Sequence, residues 1–289
     1  MPELPEVETV RRALAPALQG AIIARVTCRR PDLRFAFPAG FGQTLQGSVV
    51  ERLTRRGKYL LATLDRDHTL IMHLGMSGRF RVEAQSGPLM QTAVYVHGVK
   101  TDPAHDHVVI GTHGPAGTAV ITYNDPRRFG FMDLVATDDL ETCRHFARMG
   151  PEPLSPAFTA DTLIAACAGK NTPVKNALLD QRVVAGLGNI YVCEALFRAG
   201  ISPKRKAGRI SAPRLMRLHG EIVTVLKAAI KAGGSSLRDF ASTDGQLGYF
   251  QHTFCIYDRE GAACTRCRGT VRRVVQAGRS TFYCPACQR

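Results

Sequence analysis

Gly150-Pro151-Glu152-Pro153-Leu154-Ser155-Pro156 separates two halves of the chain that follow different periodicities. Three prolines in seven residues can neither continue a helix nor pair in the middle of a sheet. On the N-terminal side, β-type runs recur at 22–30, 49–55, 59–64, 69–74, 80–82, 108–112, 119–123 and 131–135, punctuated by Gly, Pro and Asp. Short strands at that density predict a sandwich or barrel. On the C-terminal side the windows 160–168, 173–181, 190–199 and 212–232 are helical. The last carries Leu215, Leu218, Ile222, Leu226 and Ile230 on one face and closes on Gly233-Gly234. A third pattern begins near residue 253, with a hairpin expected from 271–276 and 281–284. The expected organisation is therefore α+β and multidomain: 1–136, a linker at 137–156, a helical domain at 157–250 and a finger at 251–289. Residues 84–104 read as an irregular loop.

The finger is defined by Cys264, Cys267, Cys284 and Cys287, a C-x2-C-x16-C-x2-C spacing. That is the pattern of a zinc ribbon, with four thiolates closing a tetrahedron around one structural Zn2+ and leaving no open position for catalysis. Two disulfides are the competing reading. The other five cysteines (28, 143, 167, 193 and 255) are scattered, and an odd count without pairing argues for a reducing compartment. No apolar run approaches a membrane span and no signal peptide starts the chain. The expectation is a cytoplasmic protein, away from membranes. Lys plus Arg total 38 against 24 Asp plus Glu, a formal charge of +14. Such a balance points to a polyanionic partner, most often nucleic acid.

The chain opens Met1-Pro2-Glu3-Leu4-Pro5-Glu6. Loss of Met1, which a small second residue permits, leaves Pro2 with a free secondary amine. An α-amino group titrates near about 8, so part of it is nucleophilic at neutral pH. Glu3 and Glu6 place acids beside it, which completes a covalent-catalysis pair. The plain alternative is a helix start. Residues 5–19 do read as a helix, with Pro5 at its first position, Val7, Val10, Leu14 and Leu18 on one face, a kink at Pro16 and Gly20 at the end. Taken alone the hexapeptide favours that plain reading; the remaining motifs reverse it.

Those motifs are Arg56-Gly57-Lys58-Tyr59-Leu60-Leu61, His73-Leu74-Gly75-Met76-Ser77-Gly78, Asp125-Pro126-Arg127-Arg128-Phe129-Gly130, Gly186-Leu187-Gly188-Asn189-Ile190-Tyr191 and Arg279-Ser280-Thr281-Phe282-Tyr283-Cys284. In this order, with the N-terminal hexapeptide and the four cysteines, they closely resemble the formamidopyrimidine-DNA glycosylase family from residue 2 to 289. The resemblance implies a β-sandwich with a flanking helix, a helix-two-turn-helix domain and a zinc-ribbon hairpin. It also implies a monomer of the bacterial cytosol that acts on damaged double-stranded DNA. The reaction it implies is excision of oxidised purines, 8-oxoguanine and formamidopyrimidines, followed by cutting at the abasic site.

The same resemblance assigns roles. Pro2 is the nucleophile at C1′ and Glu3 the acid that protonates the sugar ring oxygen, which requires a carboxyl that stays protonated. Lys58, expected at the start of a strand, assists elimination. Arg279, at the tip of the finger hairpin, grips the phosphate beside the lesion and serves the second elimination. Asn189, at the Gly-x-Gly turn, contacts the backbone. Extruding a nucleotide leaves a hole that apolar wedges and Arg fill. Met76, Arg127 and Phe129 match that set, with Arg127 facing the orphaned cytosine. His105 and Lys170 match further DNA-contact positions, although the stretch before His105 is longer than the family pattern. The segment 235–249 corresponds to the cover over the flipped base. Two other readings remain at this point. One is the endonuclease VIII branch acting on oxidised pyrimidines, against which Leu4 and the Asp125–Gly130 run argue. The other is a zinc-ribbon DNA-binding protein without catalysis, which leaves Pro2, Glu3 and Lys58 unexplained.

Overall fold

The computed structural model describes residues 2–87, 101–235 and 250–289. Most of the irregular stretch expected at 84–104, and all but the first residue of the 235–249 segment, lie outside them. The described residues group into two compact units. One comprises residues up to 147 with 233–235, the other 148–232 with 250–289. Residues 233–235 thus group with the sandwich and not with the helices that precede them.

The first unit opens with α1 (Leu4–Leu18). Leu4 takes the first helical position and Pro5 the second, one place later than the sequence reading; proline is tolerated in this first turn because its missing N–H has no partner to lose there. Pro16 lies in the last turn, and the helix ends two residues beyond it. Eight strands follow: β1 (Ile22–Cys28), β2 (Val50–Arg56), β3 (Tyr59–Leu64), β4 (His68–His73), β5 (Arg79–Ala84), β6 (Asp106–Gly114), β7 (Gly117–Asn124) and β8 (Phe131–Ala136). They form two antiparallel sheets, β1-β6-β7-β5 and β2-β3-β4-β8. The inward residues Ile23, Leu53, Leu60, Leu70, Met72, Phe80, Val108, Ile110 and Ile121 make one core with Val7, Val10, Leu14 and Leu18 of α1. Fully burying each such side chain is worth about 1.5–3 kcal/mol. The helix is therefore held by its stripe, not by propensity. A five-residue helix, α2 (Phe41–Leu45), covers Phe41 and Leu45; it is too short to show a period in the sequence.

The second unit has α3 (Ala160–Cys167), α4 (Val174–Leu179), α5 (Asn189–Ala199) and α6 (Ala212–Lys231). Helix α6 packs its face of Leu215, Leu218, Ile222 and Leu226 against α3 and α5. The finger hairpin is β9 (Arg272–Gln276) and β10 (Arg279–Tyr283). Its loop residues Ala277 (φ 47°) and Gly278 (φ 71°) are both left-handed. Two positive φ values suit the right-handed twist of a two-residue hairpin. A small core of Cys193, Phe197, Ile256, Val271 and Phe282 joins the finger to α5. Among the described residues no helix is long and apolar enough to cross a membrane.

Candidate active site and nucleic-acid interface

Pro2 and Glu3 are buried at the start of α1. Glu3 is the N-cap and only 3% exposed. A reciprocal capping box holds it. The Glu3 backbone N–H donates to Glu6 Oε2 at 2.9 Å, and the Glu3 side chain accepts from the backbone N–H of Glu6. Glu6 does more than cap. Its Oε1 accepts the backbone N–H of Ser235 at 2.8 Å and the Ser235 hydroxyl at 3.0 Å. This contact needs glycine at 234. Its φ is +79°, and a Cβ there would stand 3.1 Å from Glu6 Oε1. Gly233-Gly234 is thus a helix end that also lets the chain reach Glu6 at the start of α1.

Lys58 is the second residue of the two-residue loop between β2 and β3, one place before the strand it was expected to start. Gly57 takes the positive-φ position (56°). Arg55 Nη1 donates to the Gly57 carbonyl at 2.8 Å, and its Nε lies 3.6 Å from Glu8 on α1. One arginine thereby links the lysine's turn to the helix that carries Glu3. Lys58 is 7% exposed. Burial, then the charge of Lys58 and of Arg34, lowers the His73 pKa to about 4, so this imidazole is neutral at pH 7. Its Nδ1 accepts the Gly75 N–H at 3.1 Å, and its ring stacks on Phe131 with centroids 5.2 Å apart.

Met76 and the pair Arg127 and Phe129 lie on two loops that meet. A Cβ on Gly75 would fall 2.3 Å from the Gly130 nitrogen, and one on Gly78 2.2 Å from the Tyr123 hydroxyl. Only glycine permits this approach. The carboxylate of Asp125, fully buried, pins both loops. Its Oδ1 accepts the Ser77 hydroxyl at 2.6 Å; its Oδ2 accepts the Gly130 N–H at 2.9 Å and the Tyr123 hydroxyl at 3.3 Å. The same residue's N–H donates to the His105 carbonyl, and its carbonyl meets His107 Nε2 at 2.9 Å. Burial, then this carboxylate, raises the Tyr123 pKa well above its ordinary value, which keeps the hydroxyl a donor. Arg127 stacks on Phe129 at 4.7 Å, and Phe129 is 45% exposed. His105 ends a short turn before β6 and lies half-exposed, 3.9 Å from Asp102. Asp125→Ala is expected to destabilise the first unit by about 3 kcal/mol or more, because it strands three buried donors. Denaturant unfolding checks this; a midpoint shift below about 1 kcal/mol would show that the loops hold without the hub.

In the second unit Asn189 opens α5 after Gly188. The turn before it is strapped by Gln181, which accepts the Gly186 N–H at 2.8 Å and donates to the Leu187 carbonyl at 3.0 Å. Asn189 Nδ2 donates to the Ser280 carbonyl at 2.9 Å, one residue from Arg279. Lys175 Nζ, fully buried, donates to the same carbonyl at 3.1 Å and to Thr281 Oγ1 at 2.6 Å. Glu194, fully buried on α5, accepts the backbone N–H groups of Cys255, Ile256 and Tyr257 at 2.9–3.1 Å. These groups fix the hairpin that presents Arg279, itself exposed. Lys170 is half-buried beyond α3, its carbonyl accepting the Gly208 N–H. The sequence reading passed over Asp125, Lys175, Glu194 and His73. Lys175 had a signal, a lysine among apolar residues of a short helix; Glu194 had a similar one, a lone carboxylate among apolar residues of α5. Asp125 stands within a quoted motif whose weight fell on the arginine and phenylalanine.

The Sγ atoms of Cys264, Cys267, Cys284 and Cys287 all lie within 4.8 Å of one another. Cys267 and Cys284 are 3.5 Å apart, Cys264 and Cys287 3.9 Å. These distances exceed an S–S bond and bracket the ~3.8 Å edge of a tetrahedron with Zn–S bonds of about 2.3 Å. All nine cysteines are free thiols, so the disulfide reading falls. Burial, then its crowded sulfur neighbours, pushes the Cys287 thiol up to about 12. Against the opposing effect of burial, backbone N–H groups of Arg266 and Cys267 draw Cys264 down to about 7. Four sulfurs at this spacing form a tetrahedral donor set that fits one zinc ion.

Sandwich, helical unit and four-cysteine hairpin, on a chain with a formal charge of +14, point to a class of protein that acts on nucleic acid. Models of the formamidopyrimidine-DNA glycosylase N-terminal domain, its H2TH domain and a zinc finger found in FPG and IleRS match residues 1–132, 149–241 and 261–289. The chain is 58% identical to formamidopyrimidine-DNA glycosylases of Caulobacter sp. (strain K31) and Ruegeria pomeroyi, over the whole of each chain. Among solved structures it is similar to a Lactococcus lactis FPG mutant in complex with Fapy-dG-containing DNA. The TM-score is 0.86 and the identity 32%, with both chains fully covered. It is likewise similar to the MutM (FPG) protein from Thermus thermophilus, with a TM-score of 0.84, 37% identity and coverage of 99% and 98%. The chain belongs to the formamidopyrimidine-DNA glycosylase family. It is a DNA glycosylase with abasic-site lyase activity.

Proposed function

We propose that this enzyme excises oxidised purines, 8-oxoguanine and formamidopyrimidines, from duplex DNA through an imine on Pro2. The observation that carries the reading is the buried, capped start of α1, which holds an amine-bearing residue and a carboxyl side by side. Once Met1 is removed, the Pro2 nitrogen bonds to C1′ as the base departs. Glu3 delivers a proton to the ring oxygen and the sugar opens to an iminium. That cation acidifies the C2′ proton; its loss expels the 3′ phosphate, and a second elimination expels the 5′ phosphate. Lys58 serves the first elimination and Arg279 the second. Lys170, Asn189 and His105 hold the backbone, while Met76, Arg127 and Phe129 fill the vacated stack. The boundaries 1–136, 157–250 and 251–289, the monomeric state and a place in the bacterial cytosol and nucleoid belong to the same proposal. The Lactococcus lactis FPG complex with Fapy-dG-containing DNA supports the purine side.

Cyanoborohydride trapping tests it, with 8-oxoguanine opposite cytosine in one duplex and thymine glycol in another. The expected result is an adduct at residue 2 with the purine lesion and little with the pyrimidine. The reverse preference moves the protein to the pyrimidine branch. No adduct from protein shown by mass to lack Met1 overturns the mechanism.

A further inference from the structure

Beside the Arg127–Phe129 loop lies a surface that the steps above leave unused. Residues 31–37 form a tight turn, with Asp32 bridged to Ala36 and the Phe37 N–H donating to the Pro31 carbonyl. Leu33 anchors the turn in the core, and the Arg34 N–H ties it to the Gly130 carbonyl at 3.1 Å. A cleft runs between this turn and the loop, lined by Asp32, Leu33, Arg34, Arg127, Arg128 and Phe129. One wall carries Arg127 over the exposed ring of Phe129 at 4.7 Å; the other carries Arg34, which also lies 5.5 Å from the ring of Phe35, a neighbour outside the cleft lining. Phe35 is 41% exposed, with Arg144 also 5.2 Å from its ring.

The charges are unevenly compensated. Asp32 lies near Arg30 and Arg128, at 3.7 and 3.8 Å, and Asp133 pairs with Arg144 at 2.8 Å. Among the described residues neither the Arg34 nor the Arg127 guanidinium has an ion-pair or hydrogen-bond partner. An uncompensated guanidinium beside an exposed aromatic face is suited to a nucleotide, with phosphate on the cation and base on the ring.

We propose that this cleft receives a nucleotide of the strand opposite the lesion, with its phosphate on Arg34 and its base reaching out of the cleft to the neighbouring Phe35. The choice of strand rests on the proposed function, in which Arg127 faces the orphaned base; the opposite wall of the same cleft then faces the neighbouring nucleotide of that strand. Phe35 meets Phe131 edge-on, with ring centroids 5.4 Å apart.

Arg34→Ala and Phe35→Ala test the cleft on two probes, an 8-oxoguanine duplex and the same lesion strand alone. Each variant is expected to lose about tenfold in duplex affinity and nothing on the single strand. Arg34→Ala should also reduce the slope of log affinity against log salt by about one. Unchanged duplex affinity overturns the proposal. An equal loss on the single strand overturns the strand assignment and moves the contact to the lesion strand. Imine trapping by the parent protein on the same duplex reads the underlying function separately, since an adduct there does not depend on Phe35. Circular dichroism of both variants, whose changes are at exposed positions, excludes unfolding as the cause.

Discussion

Glu3→Gln is expected to slow base release by about a hundred- to ten-thousand-fold, the usual contribution of a positioned general acid. Gln is nearly the shape of Glu, and its amide oxygen can still accept the Glu6 N–H of the capping box. The helix start should therefore persist, with stability within about 1 kcal/mol and duplex affinity within about tenfold. What Gln cannot do is give up a proton to the sugar ring oxygen. The expected loss is also selective. A preformed abasic site exists partly as the open aldehyde, and Pro2 can condense with that form without ring-opening help. Strand cutting at an abasic site should fall far less than release of 8-oxoguanine. Single-turnover rates on the two substrates measure the split. Normal base release by the variant sinks the assignment of Glu3, and equal loss on both substrates would place Glu3 in binding or in later proton transfers.

The parts of this molecule legible from sequence are those where a local rule repeats. Strand β3 reads correctly to the residue because turn residues bound a short, largely apolar run on both sides. Helix α6 reads because its apolar stripe persists for twenty residues. The four cysteines read because metal geometry restricts their spacing. What is not legible depends on contacts distant in sequence. Lys58 reads as a strand start because Gly57 gives no indication of how sharply the chain reverses. Glu6 reads as a helix-start residue, yet its second oxygen is committed to Ser235, 229 residues away. Asp125 looks like a turn residue before proline, and only the folded loops show three donors converging on it. Buried polar groups of this kind have no period. They follow from which backbone groups the fold leaves without a partner, and that is a property of the assembled chain.

Cys267→Ser is expected to release the zinc and unfold the finger. Serine offers no thiolate, and the remaining three sulfurs cannot close the tetrahedron. Structural zinc in isolated fingers is worth about 10–16 kcal/mol of apparent binding energy, and in such modules binding energy is folding energy. Strands β9 and β10 form a two-stranded sheet, which is at best marginal without that support. The hairpin also carries Ser280 and Thr281, the acceptors of Lys175 and Asn189. Its loss strands a fully buried ammonium as well as displacing Arg279. Duplex affinity should fall at least about a hundredfold. With Arg279 gone from its phosphate, residual cutting should stop after the first elimination, leaving an unsaturated sugar on the 3′ end. The Glu3 cap is built from residues of the other unit, so trapping of an abasic strand at high protein concentration should survive. Elemental analysis, affinity and end-group analysis of the cut strand read the three effects. Cys255→Ser, outside the cluster, is the control for loss of a thiol as such. A fully zinc-loaded Cys267→Ser protein, or a parent without zinc that cuts through both eliminations, would remove the metal from the account. Intact double elimination by a zinc-free variant would remove Arg279 with it, because the hairpin that carries this arginine is expected to unfold without the metal.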